Sequence, residues 1–175
     1  MRARKGTRFC SGRCRVRAHR SGIPTELRRR DRWVTHSPVK VPLTPRGRPA
    51  SATDPTTWSP YEAVKDMPRK GFVLNGDGVV CLDLDHCVRP GGTLTPAAAT
   101  LLRRCPPTYV EVSLSGDGVH IWGRGHLPHG RRLTVEGGSV EMYGTGRYIA
   151  VTGRRYGCCP STLADLSEVL ASLSS

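Results

Sequence analysis

The stretch VVCLDLD at residues 79–85 constrains the fold most. Val80, Leu82 and Leu84 alternate with Cys81, Asp83 and Asp85. A period of two is the signature of a strand and sends the two sets to opposite faces. The aliphatic face needs a core. The other face carries two like charges, which repel unless a cation or a basic group lies between them.

The same design recurs twice. In VHIWG (119–123), His120 and Trp122 oppose Val119 and Ile121; in SVEMY (139–143), Glu141 and Tyr143 oppose Val140 and Met142. If the three strands are neighbours in one sheet, two aspartates, a glutamate and a histidine converge on one surface. Three carboxylates with no competing cysteine ligand favour a hard cation, Mg²⁺ or Mn²⁺. Such ions are held by a few carboxylates together with substrate phosphates. The matching chemistry is phosphoryl or nucleotidyl transfer, with a metal pair on the attacking and leaving oxygens.

Further strands are expected at GFVL (71–74), TYVEVS (108–113) and YIAVTG (148–153), with RWVT (32–35) as the first. NGDG (75–78) and SGDG (115–118) read as tight turns. Three helices are expected. Ser59, Pro60 and Glu62 suit the N-cap, N1 and N3 positions of a helix over 59–67. Thr95 and Pro96 repeat that device before a helix with Arg103 and Arg104 at its basic end. Leu163, Leu166, Val169 and Leu170 form the apolar stripe of a closing helix. The fold class is therefore α/β or α+β, with largely antiparallel strands and helices covering one face.

Charge divides the chain. Residues 1–50 hold 15 of the 27 Lys and Arg but only two acids, Glu26 and Asp31, whereas the remainder holds 12 basic and 12 acidic residues. A basic arm (1–22) ahead of a neutral domain (23–175) points to a polyanionic partner, most simply nucleic acid. No run reaches the length of a membrane span and the start lacks an apolar signal stretch, so no membrane association and a cytoplasmic location are expected. Seven cysteines without a secretory signal argue against a disulfide framework, and Cys81, Cys87 and Cys105 read as small core residues.

The order of these motifs resembles the bifunctional DNA primase/polymerase domain of the archaeo-eukaryotic primase superfamily, in its phage and actinobacterial form. The resembling residues are DLD (83–85), SLSGDGVHIWG (113–123) and VEMYGTGRYIAVTG (140–153). IPTELRRRDRWV (23–34) and SATDPTTWSPYEAV (51–64) are similar to its lead-in segments. The resemblance implies a compact catalytic core, a DNA template and nucleoside triphosphates as substrates, and Asp83, Asp85 and Glu141 as ligands of Mg²⁺ or Mn²⁺. It places His120 on the phosphates of the incoming nucleotide, and Ser113, Ser115, Gly116 and Gly118 in the turn that approaches it. Arg147 and Lys40 become phosphate contacts. Leu114 stands where the family more often has proline. No GxxxxGK[ST] motif occurs, so either a helicase is expected as a separate protein or the chain is a fragment.

RFCSGRCRVRAHR (8–20) is similar to half of a small zinc element, through Cys10, Cys14 and His19. Tetrahedral zinc takes four ligands, and with one cysteine pair present an arm that attracts phosphates is the favoured reading. Besides a primase-polymerase, two further functions fit the residues. One is a non-catalytic nucleic-acid-binding module on the same fold; the other is a metal-dependent nuclease.

Overall fold

The structure is a computed structural model and describes residues 22–135 and 138–174. A single-turn helix α1 (Thr25–Arg28) precedes β1 (Trp33–His36) and β2 (Pro42–Leu43). After two 3₁₀ turns come β3 (Lys70–Asn75), β4 (Val79–Asp85) and α2 (Pro96–Arg104). Strands β5 (Val110–Val112), β6 (Val119–Arg124), β7 (Arg131–Val135), β8 (Gly138–Tyr143) and β9 (Thr145–Val151) follow, and β10 (Ala164–Asp165) leads into α3 (Ser167–Ser174). The architecture is α+β, as expected.

The strands form two sheets. The first has the order β2-β1-β3-β9; the second has the order β10-β6-β4-β8-β7, with β5 also pairing with β6. All pairings are antiparallel except β10 with β6. Alternation in the second sheet feeds two cores. Leu82, Leu84, Ile121, Val140 and Met142 pack with Ala98 and Leu101 of α2 and Val169 and Leu170 of α3. Cys81 and Trp122, on the opposite face, pack against Trp33, Phe72 and Ile149 of the first sheet. The face of β4 that carries Cys81 is thus partly roofed by the first sheet. Period-two patterning shows which residues share a face but not what covers that face. Trp33 lies in this inter-sheet core, its ring edge-on to Phe72 at 5.2 Å.

The helix expected over 59–67 does not form. Ser59 exchanges backbone hydrogen bonds with Trp33, both 2.9 Å, which places Ser59 in an extended pairing rather than at an N-cap. Only a 3₁₀ turn, Tyr61–Ala63, remains, with no side-chain cap. The closing helix also starts later than its pattern suggests. Ala164 and Asp165 pair with β6, and Asp165 accepts the Ser167 N–H at 2.8 Å to start α3. Leu163 turns into the inter-sheet core while Leu166, Val169 and Leu170 enter the helix-side core. The α2 helix is as expected, with Thr95 Oγ1 accepting from Ala98 N and Pro96 in the first turn. The NGDG turn links β3 to β4 across the two sheets rather than closing a hairpin. Cys81, Cys87 and Cys105 are buried thiols, whereas Cys158 is disulfide-bonded, which the sequence pattern does not foreshadow. Among the described residues no helix is long and apolar enough to cross a membrane.

Two substitutions test this packing by urea unfolding. Leu166→Ala, at a fully buried position, is expected to destabilise by about 2–5 kcal/mol. Glu62→Ala, on a side chain 74% exposed, is expected to stay within about 0.5 kcal/mol; a loss of the size of a missing helix cap would contradict the described turn.

Candidate active site

Strand β4 is central in the second sheet, and its register builds the site. Asp83 is the direct partner of His120 on β6 and of Glu141 on β8. The same rung continues to Glu111 on β5, opposite His120, and to Arg132 on β7, opposite Glu141. Five ionisable residues therefore cross the sheet in one line: Glu111, His120, Asp83, Glu141 and Arg132. His120 Nδ1 lies 3.2 Å from Glu111 Oε1, and its Nε2 lies 3.5 Å from Asp83 Oδ1. Arg132 Nε is 3.5 Å from Glu141 Oε1.

Beside this rung a cleft of ≈ 350 Å³ opens, lined by Asp83, Asp85, His120, Ser113, Ser115, Leu114, Lys40 and Arg147, among others. All of these but Leu114 are candidate site residues from the sequence, seven in number. Glu141 is adjacent in the rung but is not part of the lining; Tyr143 donates its hydroxyl to it. Burial, with that hydrogen bond, pushes the Tyr143 phenol up to about 12, so it remains a donor. Arg147 lies over the Tyr143 ring, 4.7 Å from its centre.

The serine turn is held by its own hydrogen bonds. Ser113 Oγ accepts from Gly118 N at 3.1 Å and sits 2.9 Å from Ser115 Oγ. Gly116 adopts φ +93, a left-handed conformation that glycine takes without penalty. A Cβ at Gly118 would lie 2.6 Å from the Leu84 carbonyl, so only glycine lets the turn press against β4. Lys40, at the β1–β2 turn, has φ +62. Such backbone strain in a non-glycine residue costs about 1–3 kcal/mol and clusters at functional sites.

The electrostatics follow from burial. Asp83 is held above the ordinary carboxylate range, first by desolvation and then by Asp85 and Glu141, while His120 and Lys40 oppose the shift. Burial would lower the His120 pKa, but Glu111 and Asp83 outweigh it and the net shift is upward. Asp83 Oδ1 is buried and has no hydrogen-bond partner among the described residues. Such an atom is costly unless something pairs with it. Asp83 and Asp85 are oxygen donors of the kind Mg²⁺ and Mn²⁺ take. Among the described residues no three His, Cys, Asp or Glu side chains form a ready-made ligand cage. Two carboxylates are a donor set that a hard ion can share with other oxygen ligands.

A family described as "Bifunctional DNA primase/polymerase, N-terminal" matches residues 13–166. The chain belongs to this family. Over 133 residues it is 35% identical to the "DNA Primase-polymerase" of Nitratiruptor phage NrS-1. That segment is 69% of this chain and 18% of the phage protein, so the chain spans about a fifth of its relative's length.

Within this primase/polymerase-family domain, Glu111 and Arg132 of the rung escaped the sequence reading. Glu111, in the strand TYVEVS, is fully enclosed and bonded to His120. The available signal was a lone acid at the centre of an apolar strand, on the same side as Tyr109 and Ser113. Cys10, Cys14 and His19, the residues considered for zinc, lie outside the described residues, as does nearly all of the basic arm.

The raised Asp83 pKa gives a stability test. Its ionised form is penalised by folding, so the penalty is present above the folded pKa and vanishes as pH falls below the unfolded value. Asp83→Asn is expected to raise the Tm at pH 7, and the gain should shrink as the pH is lowered through the carboxylate range. A lower Tm at pH 7 would contradict this.

Proposed function

We propose that the domain catalyses template-directed nucleotidyl transfer, as a DNA primase/polymerase, with nucleoside triphosphates and a DNA template as substrates. The observation that carries this reading is one cleft that gathers Asp83 and Asp85 with Lys40, Arg147 and His120, the Asp83 Oδ1 lacking a hydrogen bond and lying 3.5 Å from His120 Nε2. Family membership and the phage relative support the same class of chemistry.

Asp83 and Asp85, with Glu141 beside them, would hold Mg²⁺ or Mn²⁺. When bound, such ions would neutralise phosphate charge and fix the attacking and leaving oxygens of an in-line displacement. The remaining work belongs to the chain itself. Lys40 and Arg147 supply fixed positive charge for the triphosphate. The serine turn brings hydroxyls and backbone close to it. His120 presents Nε2 to the cleft and, as the imidazolium with both ring nitrogens protonated, donates to the phosphates. Catalysis here is positioning and charge stabilisation in a partly desolvated site.

Primer extension with labelled nucleotides tests the reading. The Asp83→Ala/Asp85→Ala double variant is expected to lose at least about 10³-fold in rate, the order associated with removing a key electrostatic group, with its thermal unfolding retained. Chelation by EDTA should abolish incorporation. Lys40→Ala should raise the KM for nucleotide about tenfold, as expected for one charge-assisted hydrogen bond. Unchanged synthesis in the double variant would overturn the assignment. Binding of DNA without incorporation would favour a non-catalytic module, and cleavage of labelled DNA without added nucleotides would favour a nuclease.

A further inference from the structure

Glu111 is a fully enclosed carboxylate in the interior of a sheet. Such a group is strongly destabilising unless its lone pairs are taken up. Here they are, in a way that divides its two oxygens. Oε2 accepts from the backbone N–H of Gly153 at 2.8 Å, the backbone N–H of Thr152 at 3.0 Å and the Tyr109 hydroxyl at 3.0 Å. Two of these donors are main chain at the end of β9, so this oxygen is tied to the frame and not to mobile side chains. Oε1 meets the two rings that β6 turns to this face: it accepts from Trp122 Nε1 and lies against His120 Nδ1, both at 3.2 Å. Trp122 is itself locked by edge-on packing against Phe72 at 5.9 Å.

The consequence for His120 is directional. Every other partner of Glu111 donates to it, so the geometry sets Nδ1 as a donor too, with its proton directed at Oε1. With Nδ1 held, the ring cannot turn about its Cβ–Cγ bond without breaking that hydrogen bond. Its other nitrogen is then aimed toward Asp83, where Nε2 lies 3.5 Å from Oδ1. A carboxylate that fixes a histidine's rotation while the far nitrogen does the chemistry is a recurrent device.

We propose that Glu111 is the positioning residue of this site: it anchors Nδ1 so that His120 presents Nε2 to the phosphates of the bound nucleotide. Glu111 itself touches no substrate. The proposal rests on the reading of the cleft as a nucleotide site and adds a residue that reading does not need. A purely structural Glu111 would change stability alone, whereas a positioning Glu111 must act through His120.

The test compares wild type, Glu111→Gln, His120→Ala and the double variant. Affinity for a non-hydrolysable nucleoside triphosphate and the KM and kcat of primer extension are measured, with thermal unfolding as the control for folding. Glu111→Gln is expected to weaken nucleotide binding about tenfold or more, as loss of an orienting partner typically does, with KM rising more than kcat falls. Adding Glu111→Gln to His120→Ala should cause no further loss. Wild-type affinity in folded Glu111→Gln, or fully additive losses in the double variant, would overturn the proposal. Should Glu111→Gln fail to fold, ¹⁵N-histidine NMR of the wild-type chain decides, with His120→Ala assigning the signal. A protonated Nδ1 in a slowly exchanging hydrogen bond is expected, and a bare Nδ1 would overturn the proposal. Absence of any nucleotide binding by the wild-type chain would instead overturn the reading of the cleft, while the NMR result would still decide the ring's orientation.

Discussion

The register of β4 between β6 and β8 is the constraint on which the rest depends. Side chains alternate along a strand, so a slip of one residue would carry Asp83 to the helix-side core and Leu82 or Leu84 into the cleft. Two independent cores resist that slip. Leu82 and Leu84 are buried under the helices, and Cys81 is buried under the first sheet. The alignment of Asp83 with His120 and Glu141 is therefore a by-product of hydrophobic packing. No direct attraction between the charged groups is needed to hold it. Burial of large aliphatic side chains outweighs the electrostatic penalty of gathering carboxylates.

The site lies where the inter-sheet core ends. On one face of the second sheet, Cys81 and Trp122 are covered by Phe72 and Ile149. Two residues along each strand, Asp83 and His120 face the cleft instead. The transition from packed apolar contact to polar cleft occurs within a single strand repeat. That abruptness explains why Asp83 is desolvated yet open to a ligand on one side. It also explains the role of Glu111, which sits at the boundary and converts the polar ends of Tyr109, Trp122 and His120 into one satisfied network. Asp83, whose Oδ1 lacks a hydrogen bond, and the left-handed Lys40 both line the cleft.

Much of this was legible in the sequence because it depends on period and spacing. The strand alternation at 79–85, 119–123 and 139–143 identified which residues share a face, and the adjacency of those strands makes them converge. Thr95 and Pro96 marked a real helix start because the Thr95 N–H, bonded to the Cys87 carbonyl, leaves its side chain and carbonyl to the helix. Ser59 shows the opposite outcome: a good local cap lost to a long-range pairing with Trp33, because a short segment with little to bury gains little from becoming a helix. Ala164 and Asp165 were likewise drawn from a helical pattern to the edge of β6. The first sheet was illegible because a strand pattern does not say which strands pair. Glu111 was missed because its partners arrive from positions 109, 120, 122, 152 and 153, a convergence only the fold creates.

The most direct measurement is a crystal structure of the chain with Mn²⁺ and a non-hydrolysable nucleoside triphosphate. The expected result is anomalous density against the carboxylates of Asp83 and Asp85, with the triphosphate between Lys40, Arg147 and the turn at 113–118. Mn²⁺ and phosphates bound on another face, with Asp83 still unligated, would contradict the proposed site.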